Sequence, residues 1–231
     1  MLKRSLAALA LVALPLFATA ADFVEGKDYT LVSNPAPVEV PGKVEVREFF
    51  WYGCPHCFRL DPFVEKWLET KPAYVNFIRT PAAMNPAWEI NARGFYVAQM
   101  LGKDSVSHVP MFNAIHVQKQ DMNDPDSLAR FYAGYGIDTG TFTADYNSFG
   151  VIGKIARSKQ LAQQFQLDGV PAMVVDGKYV VKGETSKVLD VVAYLVAKDA
   201  ASLPKSATAP APAAPAAAAA HKHPHKKAAA N

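Results

Sequence analysis

The chain contains two cysteines, Cys54 and Cys57, which lie three positions apart in the segment EFFWYGCPHCFRL. Two thiols at this spacing can form half of a metal site, a structural disulfide or a redox couple. A disulfide across so short a loop restricts the unfolded chain only slightly, whereas structural disulfides usually link distant segments. A zinc site usually needs four protein ligands, and the chain has no second cysteine pair. We therefore expect a redox couple and no metal site, with a structural disulfide and an exported copper carrier as the alternatives.

The residues around the two thiols predict a strand that leads directly into a helix. Residues 43–52, KVEVREFFWY, alternate as a strand does, and Gly53 interrupts the pattern. Pro55 is favoured in the first turn of a helix, so Cys54 should lie at the helix N-terminus. One turn of helix should place Cys57 deeper in the protein, and we expect Cys54 to be the exposed sulfur that a substrate attacks.

A helix N-terminus can lower the pKa of a thiol. Its free N–H groups and the positive end of the helix dipole favour an anion, so Cys54 should form a thiolate readily. His56 adds to this effect when it is protonated or donates a hydrogen bond. A thiolate stabilised in this way is a good leaving group, so a Cys54–Cys57 disulfide should readily oxidise the thiols of another protein.

The pattern of the remaining sequence divides the chain into five segments. A second strand over 74–80 completes a βαβ unit, and Asp176-Gly177 lies between two apolar runs, as in a two-residue hairpin turn. The predicted segments are a signal peptide (1–20), an N-terminal half with the βαβ unit (21–84), an all-helical insertion (85–150), a C-terminal half of helix, β-hairpin and helix (151–202), and a tail rich in Ala, Pro, His and Lys (203–231).

The first residues have the three parts of a secretory signal peptide. Lys3 and Arg4 form a basic start, residues 6–17 are apolar, and residues 18–20 read Ala-Thr-Ala, a typical cleavage site. An uncleaved membrane anchor is the alternative, but the apolar stretch is short for a membrane span. We expect an exported protein whose signal peptide is removed, in an oxidising compartment where the two thiols can form a disulfide.

The charge of the chain is unevenly distributed. The formal net charge is +3, but residues 21–204 carry 18 basic and 21 acidic side chains. A weakly acidic body does not indicate nucleic-acid binding. The composition of residues 203–231 predicts disorder. Three histidines of this tail could chelate a metal, although a solvated cationic tail is the favoured interpretation; they are His221, His223 and His225.

Together these features resemble the thioredoxin fold and, within it, the DsbA family of bacterial thiol:disulfide interchange proteins. The resemblance covers nearly all of residues 23–200. It depends on EFFWYGCPHC, on GVPAMVVDGKYVV more than 100 residues later, and on the helical insertion between the two halves. The long tail and the absence of further cysteines are departures. The implied fold class is α/β, a thioredoxin fold with an inserted all-helical domain.

The resemblance also implies roles for residues outside the cysteine motif. It implies a cis peptide bond at Pro171, packed against the disulfide, and a Val170 backbone that is free to pair with an extended substrate. Strand alternation puts the Glu48 carboxylate on an apolar face next to the active site, where Arg79 of the neighbouring strand could pair with it. In the family a buried acid with a basic partner, often lysine, occupies this place. A buried Glu48 should affect proton transfer during exchange, and a solvated ion pair at the strand edge is the alternative.

The function implied by the resemblance is that of a periplasmic dithiol oxidase. Pro55 and His56 lie between its catalytic cysteines, and its substrates are reduced, unfolded, newly exported proteins. A membrane partner linked to quinone, of the DsbB type, reoxidises it; we expect a monomer with no cofactor besides the disulfide. A reductase or isomerase of the same fold is disfavoured by the Pro-His dipeptide and by the lack of a dimerisation domain. A copper-binding module would need nearby His or Met ligands, and only His56 is close in sequence.

Overall fold

The computed structural model describes residues 23–204. The predicted signal peptide (1–20) and all but the first two residues of the predicted tail (203–231) lie outside the described residues. The strands are β1 (Thr30–Leu31), β2 (Val44–Phe50), β3 (Val75–Pro81), β4 (Ala172–Val175) and β5 (Tyr179–Lys182). The helices are α1 (Pro55–Thr70), α2 (Pro86–Met100), α3 (Asp104–His116), α4 (Pro125–Ala133), α5 (Thr139–Tyr146), α6 (Phe149–Gln164) and α7 (Lys187–Ala200). Between residues 23 and 204, no helix combines the length and apolar character that crossing a bilayer requires.

The five strands form one mixed sheet in the order β1-β5-β4-β2-β3. Strand β2 pairs in parallel with β3 and antiparallel with β4, so the predicted βαβ unit and the later hairpin meet at β2. All seven residues of β2 are buried. The alternation of β2 does not produce a solvent-facing side, because Val46 packs in the core that contains α1 and α7 while Phe49 packs against α6.

Helix α1 starts at the cysteine motif and is continuous to Thr70. Cys54 is its N-cap residue and has extended backbone angles, with φ −84° and ψ 117°, and Pro55 is the first helical residue. Pro62 lies inside the helix without ending it. Leu60 and Val64 are fully buried in the core shared with the sheet, which fixes the helix and therefore the position of its N-terminus.

The β4–β5 hairpin follows a cis peptide bond between Val170 and Pro171. Its turn residues, Asp176 and Gly177, have φ values of 51° and 64°, as a two-residue hairpin turn with left-handed residues requires. A Cβ atom at position 177 would lie 2.2 Å from the carbonyl oxygen of Ala36, so this turn has no room for a side chain. The hairpin turn predicted at Asp176-Gly177 is therefore confirmed.

Helices α2 to α5 lie between β3 and α6, and they pack around a largely aromatic core that includes Phe95, Phe112, Tyr132 and Phe142. Cys54 and Cys57 belong to the same core cluster, so the insertion supports one side of the cysteine motif. The sequence patterns did not single out α3, which contains a proline at position 110.

Candidate active site

Both cysteines are free thiols at the N-terminus of α1. Cys57 is completely buried, and Cys54 retains 6% of its accessible surface. The predicted order of accessibility is therefore correct, although Cys54 is less exposed than expected. The Cys54 thiol lies 3.5 Å from the carbonyl oxygen of Val170, the residue that precedes the cis proline.

The pKa of Cys54 is lowered from its ordinary value of 9.0 to about 6. The largest cause is a hydrogen bond that the Cys57 thiol donates to the Cys54 sulfur, and partial burial opposes it. The backbone N–H groups of Cys57 and His56 follow, and the charge of the His56 imidazole comes after them. The sequence pointed to the N–H groups and to His56, but it did not point to the neighbouring thiol.

The pKa of Cys57 is shifted in the opposite direction. Burial raises it well above its usual range, and both the hydrogen bond to Cys54 and the negative charge of the Cys54 thiolate raise it further. At neutral pH the pair therefore consists of a thiolate at Cys54 and a thiol at Cys57. The Cys54 sulfur thus carries a stabilised negative charge, whereas the Cys57 sulfur, one helical turn later, keeps its proton.

His56 lies on the exposed side of the helix start, in a cluster with Glu184 and Arg59. Its Nδ1 atom is 2.5 Å from Oε2 of Glu184, and Nε of Arg59 donates to the same oxygen at 2.8 Å. Hydrogen bonds from His56 and Arg59 lower the pKa of Glu184. Sequence reasoning missed Glu184, which is 128 positions from His56 in the chain.

A groove runs between this cluster and the cis proline. Its volume is about 320 Å³. The lining residues are His56, Asp168, Gly169, Val170, Pro171, Lys182, Gly183 and Glu184. The structure thus brings Val170 and Pro171 next to the cysteines, as the resemblance implied.

Glu48 and Arg79 form an ion pair beneath the active site. They are direct partners in the β2–β3 register, and Nε of Arg79 donates to Oε2 of Glu48 at 3.1 Å. Glu48 is 1% exposed, so the alternative of a solvated pair at the strand edge is wrong. Burial raises the pKa of Glu48 from 4.5 to about 7, even though the charge of Arg79 opposes this shift. Arg79 also donates to Glu65 at 2.5 Å.

A second buried polar group joins the insertion to the active-site helix. His108 of α3 has Nε2 3.1 Å from Asp61 of α1 and Nδ1 3.0 Å from the hydroxyl of Tyr52. Burial, together with the charge of Arg79, lowers the pKa of His108. Ligand atoms of Asp61, Glu65 and His108 lie within 4.8 Å of one another, a spacing that could also hold a metal ion. The Arg79 guanidinium already supplies a cation to this group, 3.8 Å from Asp61.

Gly53 allows an indole ring to cover the chain just before Cys54. A Cβ atom at position 53 would lie 2.3 Å from the ring of Trp51, so a side chain at this position would displace the indole. Trp51 stacks on Trp88 with the ring centres 4.8 Å apart, and its Nε1 donates to Asn91 at 2.9 Å. Helix α2, which contains Trp88 and Asn91, thereby fixes the position of the chain that leads into the cysteine motif.

Comparison with known proteins gives a consistent result. The family model of the DSBA-like thioredoxin domain matches residues 75–193. The thiol:disulfide interchange protein DsbA of Pseudomonas aeruginosa PAO1 is 39% identical over 192 residues, which cover 81% of this chain and 91% of that protein. The DsbA protein of Pseudomonas syringae pv. tomato is 38% identical over 201 residues, covering 84% and 94%.

Solved structures show the same similarity. The crystal structure of Pseudomonas aeruginosa DsbA matches with a TM-score of 0.73 and 39% identity, over 78% of this chain and 95% of that one. The oxidoreductase DsbA of Xylella fastidiosa matches with a TM-score of 0.74 and 34% identity, over 78% and 98%. The predicted α/β thioredoxin fold with a helical insertion is confirmed. The chain therefore belongs to the DsbA family of thiol:disulfide oxidoreductases, which act on substrate proteins and exchange electrons with a redox partner.

Proposed function

We propose that the protein passes a Cys54–Cys57 disulfide to reduced, unfolded proteins that have been exported to the periplasm. The observation that carries this proposal is the opposite shift in the pKa of the two thiols. A low pKa makes Cys54 the better leaving group, and the high pKa of Cys57 makes it the thiol that keeps its proton. Such a pair is more stable reduced than an ordinary dithiol and is therefore a good oxidant.

The exchange would proceed in two steps. A substrate thiolate attacks Sγ of Cys54, the Cys54–Cys57 bond breaks, and Cys57 leaves as a thiolate that takes up a proton. A second substrate thiolate then attacks the substrate sulfur of the mixed disulfide, and Cys54 leaves as its stabilised thiolate. The substrate loses two electrons and gains one disulfide, while the two enzyme thiols gain the same two electrons.

Glu48 and Arg79 support the first step. Cys57 leaves into a fully buried environment, so a nearby proton donor would make its departure easier. A carboxyl group with a pKa of about 7 can both give and accept a proton at neutral pH, and the Glu48 charge also raises the pKa of Cys57. We assign the proton-transfer role to Glu48 and its positioning to Arg79.

Val170 and Pro171 would bind the substrate chain. The Val170 carbonyl is already within 3.5 Å of the Cys54 sulfur, and the groove of about 320 Å³ continues from there. An extended peptide whose cysteine meets Cys54 would lie along this backbone and could pair with it as an added strand. Such recognition uses main-chain groups and therefore accepts many unfolded sequences.

The remaining parts of the proposal follow from family membership and from the sequence. A membrane partner of the DsbB type, linked to quinone, would restore the Cys54–Cys57 disulfide after each cycle. The signal sequence over residues 1–20 would direct a monomer to the periplasm, where the pair works with no further cofactor. Pro55 and His56, between the cysteines, would set the redox poise.

One equilibrium measurement tests the proposal. The protein is mixed with defined ratios of reduced and oxidised glutathione, and the fraction of Cys54–Cys57 disulfide is measured after acid quenching. We expect the pair to stay reduced until the buffer is strongly oxidising. A pair that is already oxidised under mildly reducing conditions would indicate a reductase and would contradict the proposal. The Cys54→Ser, Cys57→Ser double variant gives the background signal.

A further inference from the structure

Glu184 combines two contacts with the residues around the reactive thiol. Its Oε2 atom is 2.5 Å from Nδ1 of His56 and 2.8 Å from Nε of Arg59, and both partners lie on the first turns of α1. Glu184 itself belongs to the loop between β5 and α7. One carboxylate therefore ties this loop to the helix start that carries Cys54.

The backbone before Glu184 is built for this contact. Gly183 has a φ of 143°, a conformation that side-chain-bearing residues rarely adopt. A Cβ atom at position 183 would also lie 2.9 Å from a methyl group of Val188 at the start of α7. Glycine at this position lets the chain leave β5 and turn so that Glu184 reaches the side of α1.

The short contact fixes the position of one proton on His56. An ionised carboxylate can only accept hydrogen bonds, so Nδ1 must carry the proton that lies between it and Oε2. Nη2 of Arg59 is 2.7 Å from the same Nδ1, but with Nδ1 protonated its hydrogen bond goes to Glu184 instead.

We propose that Glu184 is a positioning residue that holds His56 with its Nδ1 proton in place and keeps the imidazole beside the Cys54 sulfur. The inference rests on the proposed role of Cys54 as the reactive thiolate. The charge of the imidazole stabilises the Cys54 thiolate, and Glu184 holds the ring in the place from which this charge acts. Its own negative charge would act against the thiolate, but Arg59 binds the same carboxylate and offsets that charge.

The other charged groups of the groove do not duplicate this arrangement. Asp168 and Lys182 pair with each other, with Nζ 2.6 Å from Oδ1, so their charges largely cancel. The effect of Glu184 on Cys54 should therefore pass through His56. The two routes differ in the sign of the change in the Cys54 pKa. Loss of the Glu184 charge raises this pKa if the effect passes through His56, and lowers it if the charge acts directly.

The test titrates the Cys54 thiolate by its ultraviolet absorbance in four proteins: the parent, Glu184→Gln, His56→Ala and the double variant. In the parent background we expect Glu184→Gln to raise the Cys54 pKa by roughly half a unit, which corresponds to a roughly threefold change in the glutathione equilibrium constant. In the His56→Ala background, Glu184→Gln should not raise the Cys54 pKa. A direct charge effect would instead lower the Cys54 pKa in both backgrounds.

A matched control and a second readout complete the test. Glu89 also holds two basic side chains, Arg93 at 2.9 Å and Lys159 at 2.6 Å, but on the helical insertion, so Glu89→Gln should leave the Cys54 titration unchanged. Nitrogen-15 spectra of His56 should show Nδ1 protonated in the parent and a loss of this preference in Glu184→Gln. A parent with Nδ1 unprotonated, or no change at Cys54, would overturn the inference. An ordinary Cys54 pKa in the parent would overturn the proposed function as well.

Discussion

The two sides of the cysteine pair use the same kinds of residue under opposite conditions. On the outer side, the Glu184 carboxylate is partly exposed and paired with His56 and Arg59, and its pKa is lowered. On the inner side, the Glu48 carboxylate is buried, and its pKa is raised to about 7 although Arg79 is bonded to it. On the inner side, the cost of removing the Glu48 charge from water raises its pKa by more than the attraction of Arg79 lowers it. On the outer side, where water is present, the hydrogen bonds to Glu184 have the larger effect on its pKa.

The two thiols differ in the same way. Cys54, on the outer side, has a pKa of about 6, and Cys57, one turn further into the protein, has a raised pKa. Depth below the surface therefore decides which sulfur carries negative charge. The helix dipole alone would not separate them this strongly, because both lie in the first turn.

The largest expected effect comes from removing either sulfur. Cys54→Ser should abolish oxidation of a reduced model protein, because the attacked sulfur is lost. Cys57→Ser, with Cys54 first activated by oxidised glutathione, should hold a single-thiol substrate as a mixed disulfide on Cys54, because no Cys57 thiol is left to attack that bond. Non-reducing gel electrophoresis and mass spectrometry identify the adduct. Stable adducts on Cys57 in the Cys54→Ser variant would reverse the assignment of outer and inner sulfur.

The stability of the reduced and oxidised proteins should separate as the pH rises. The depressed Cys54 pKa contributes stability that is fully present above the ordinary thiol value near 9 and is lost as pH falls through about 6. The contribution is roughly 1 kcal/mol at pH 7 and roughly 3 kcal/mol at pH 8. Closing the short disulfide loop adds about 2 kcal/mol to the oxidised form in the chain-entropy model.

We therefore expect the reduced form to be the more stable one above about pH 8, with the two forms close to equal near neutral pH. Denaturant melts of both forms at pH 6, 7, 8 and 9 measure the difference. Glu48 titrates in both forms, so its contribution largely cancels. A difference that does not change with pH would mean that the outer sulfur carries no stabilised charge.

Replacing the inner acid should stabilise the protein. The pKa of Glu48 is raised, so its contribution to stability is fully present below 4.5 and is lost as pH rises through about 7. Glu48→Gln removes this loss, and we expect a gain of about 1–3 kcal/mol in the free energy of unfolding at pH 8. Near pH 4.5 the gain should vanish. The matched variant Glu65→Gln, whose side chain is 40% exposed, should change stability by less than about 1 kcal/mol.

The smallest expected effect comes from the dipeptide between the cysteines. Exchanging Pro55-His56 for Gly-Pro removes both the imidazole and the backbone N–H of position 56, two of the lesser causes of the Cys54 shift. The Cys54 pKa should rise by about one unit. His56→Ala keeps the N–H group and should give a smaller rise. An unchanged titration in both variants would leave Cys57 as the sole control of the outer thiolate.

Local sequence patterns predicted the parts of the site that depend on neighbouring residues. The strand, glycine and proline around Cys54 placed it at a helix start, and Asp176-Gly177 indicated the hairpin. The pairing of Glu48 with Arg79 required only the alternation of two adjacent strands. The cis bond at Pro171 came from family resemblance, because most prolines that precede a strand are trans.

The missed parts depend on contacts between distant segments. Helix α3 contains Pro110 and several β-branched residues, so its local pattern did not predict a helix, and tertiary packing forms it. His108 therefore had no predicted position. Glu184 is one acid in a loop, and only the pairing of β5 and the turn at Gly183 bring it to His56. Nothing in its local sequence distinguishes it from a solvated surface residue.

Strands β2 and β4 are neighbours in the sheet but lie far apart in the sequence. Their register pairs Phe49 with Ala172, more than 100 residues later. A chain that is synthesised from its N-terminus therefore contains Cys54 well before the Val170 carbonyl and the Glu184 carboxylate are present. The helices of the insertion make mostly local contacts and can form first, whereas the central pairing of the sheet must wait for the C-terminal third. The site around Cys54 is thus completed only when the C-terminal third of the chain has folded, which limits disulfide exchange by an incomplete chain.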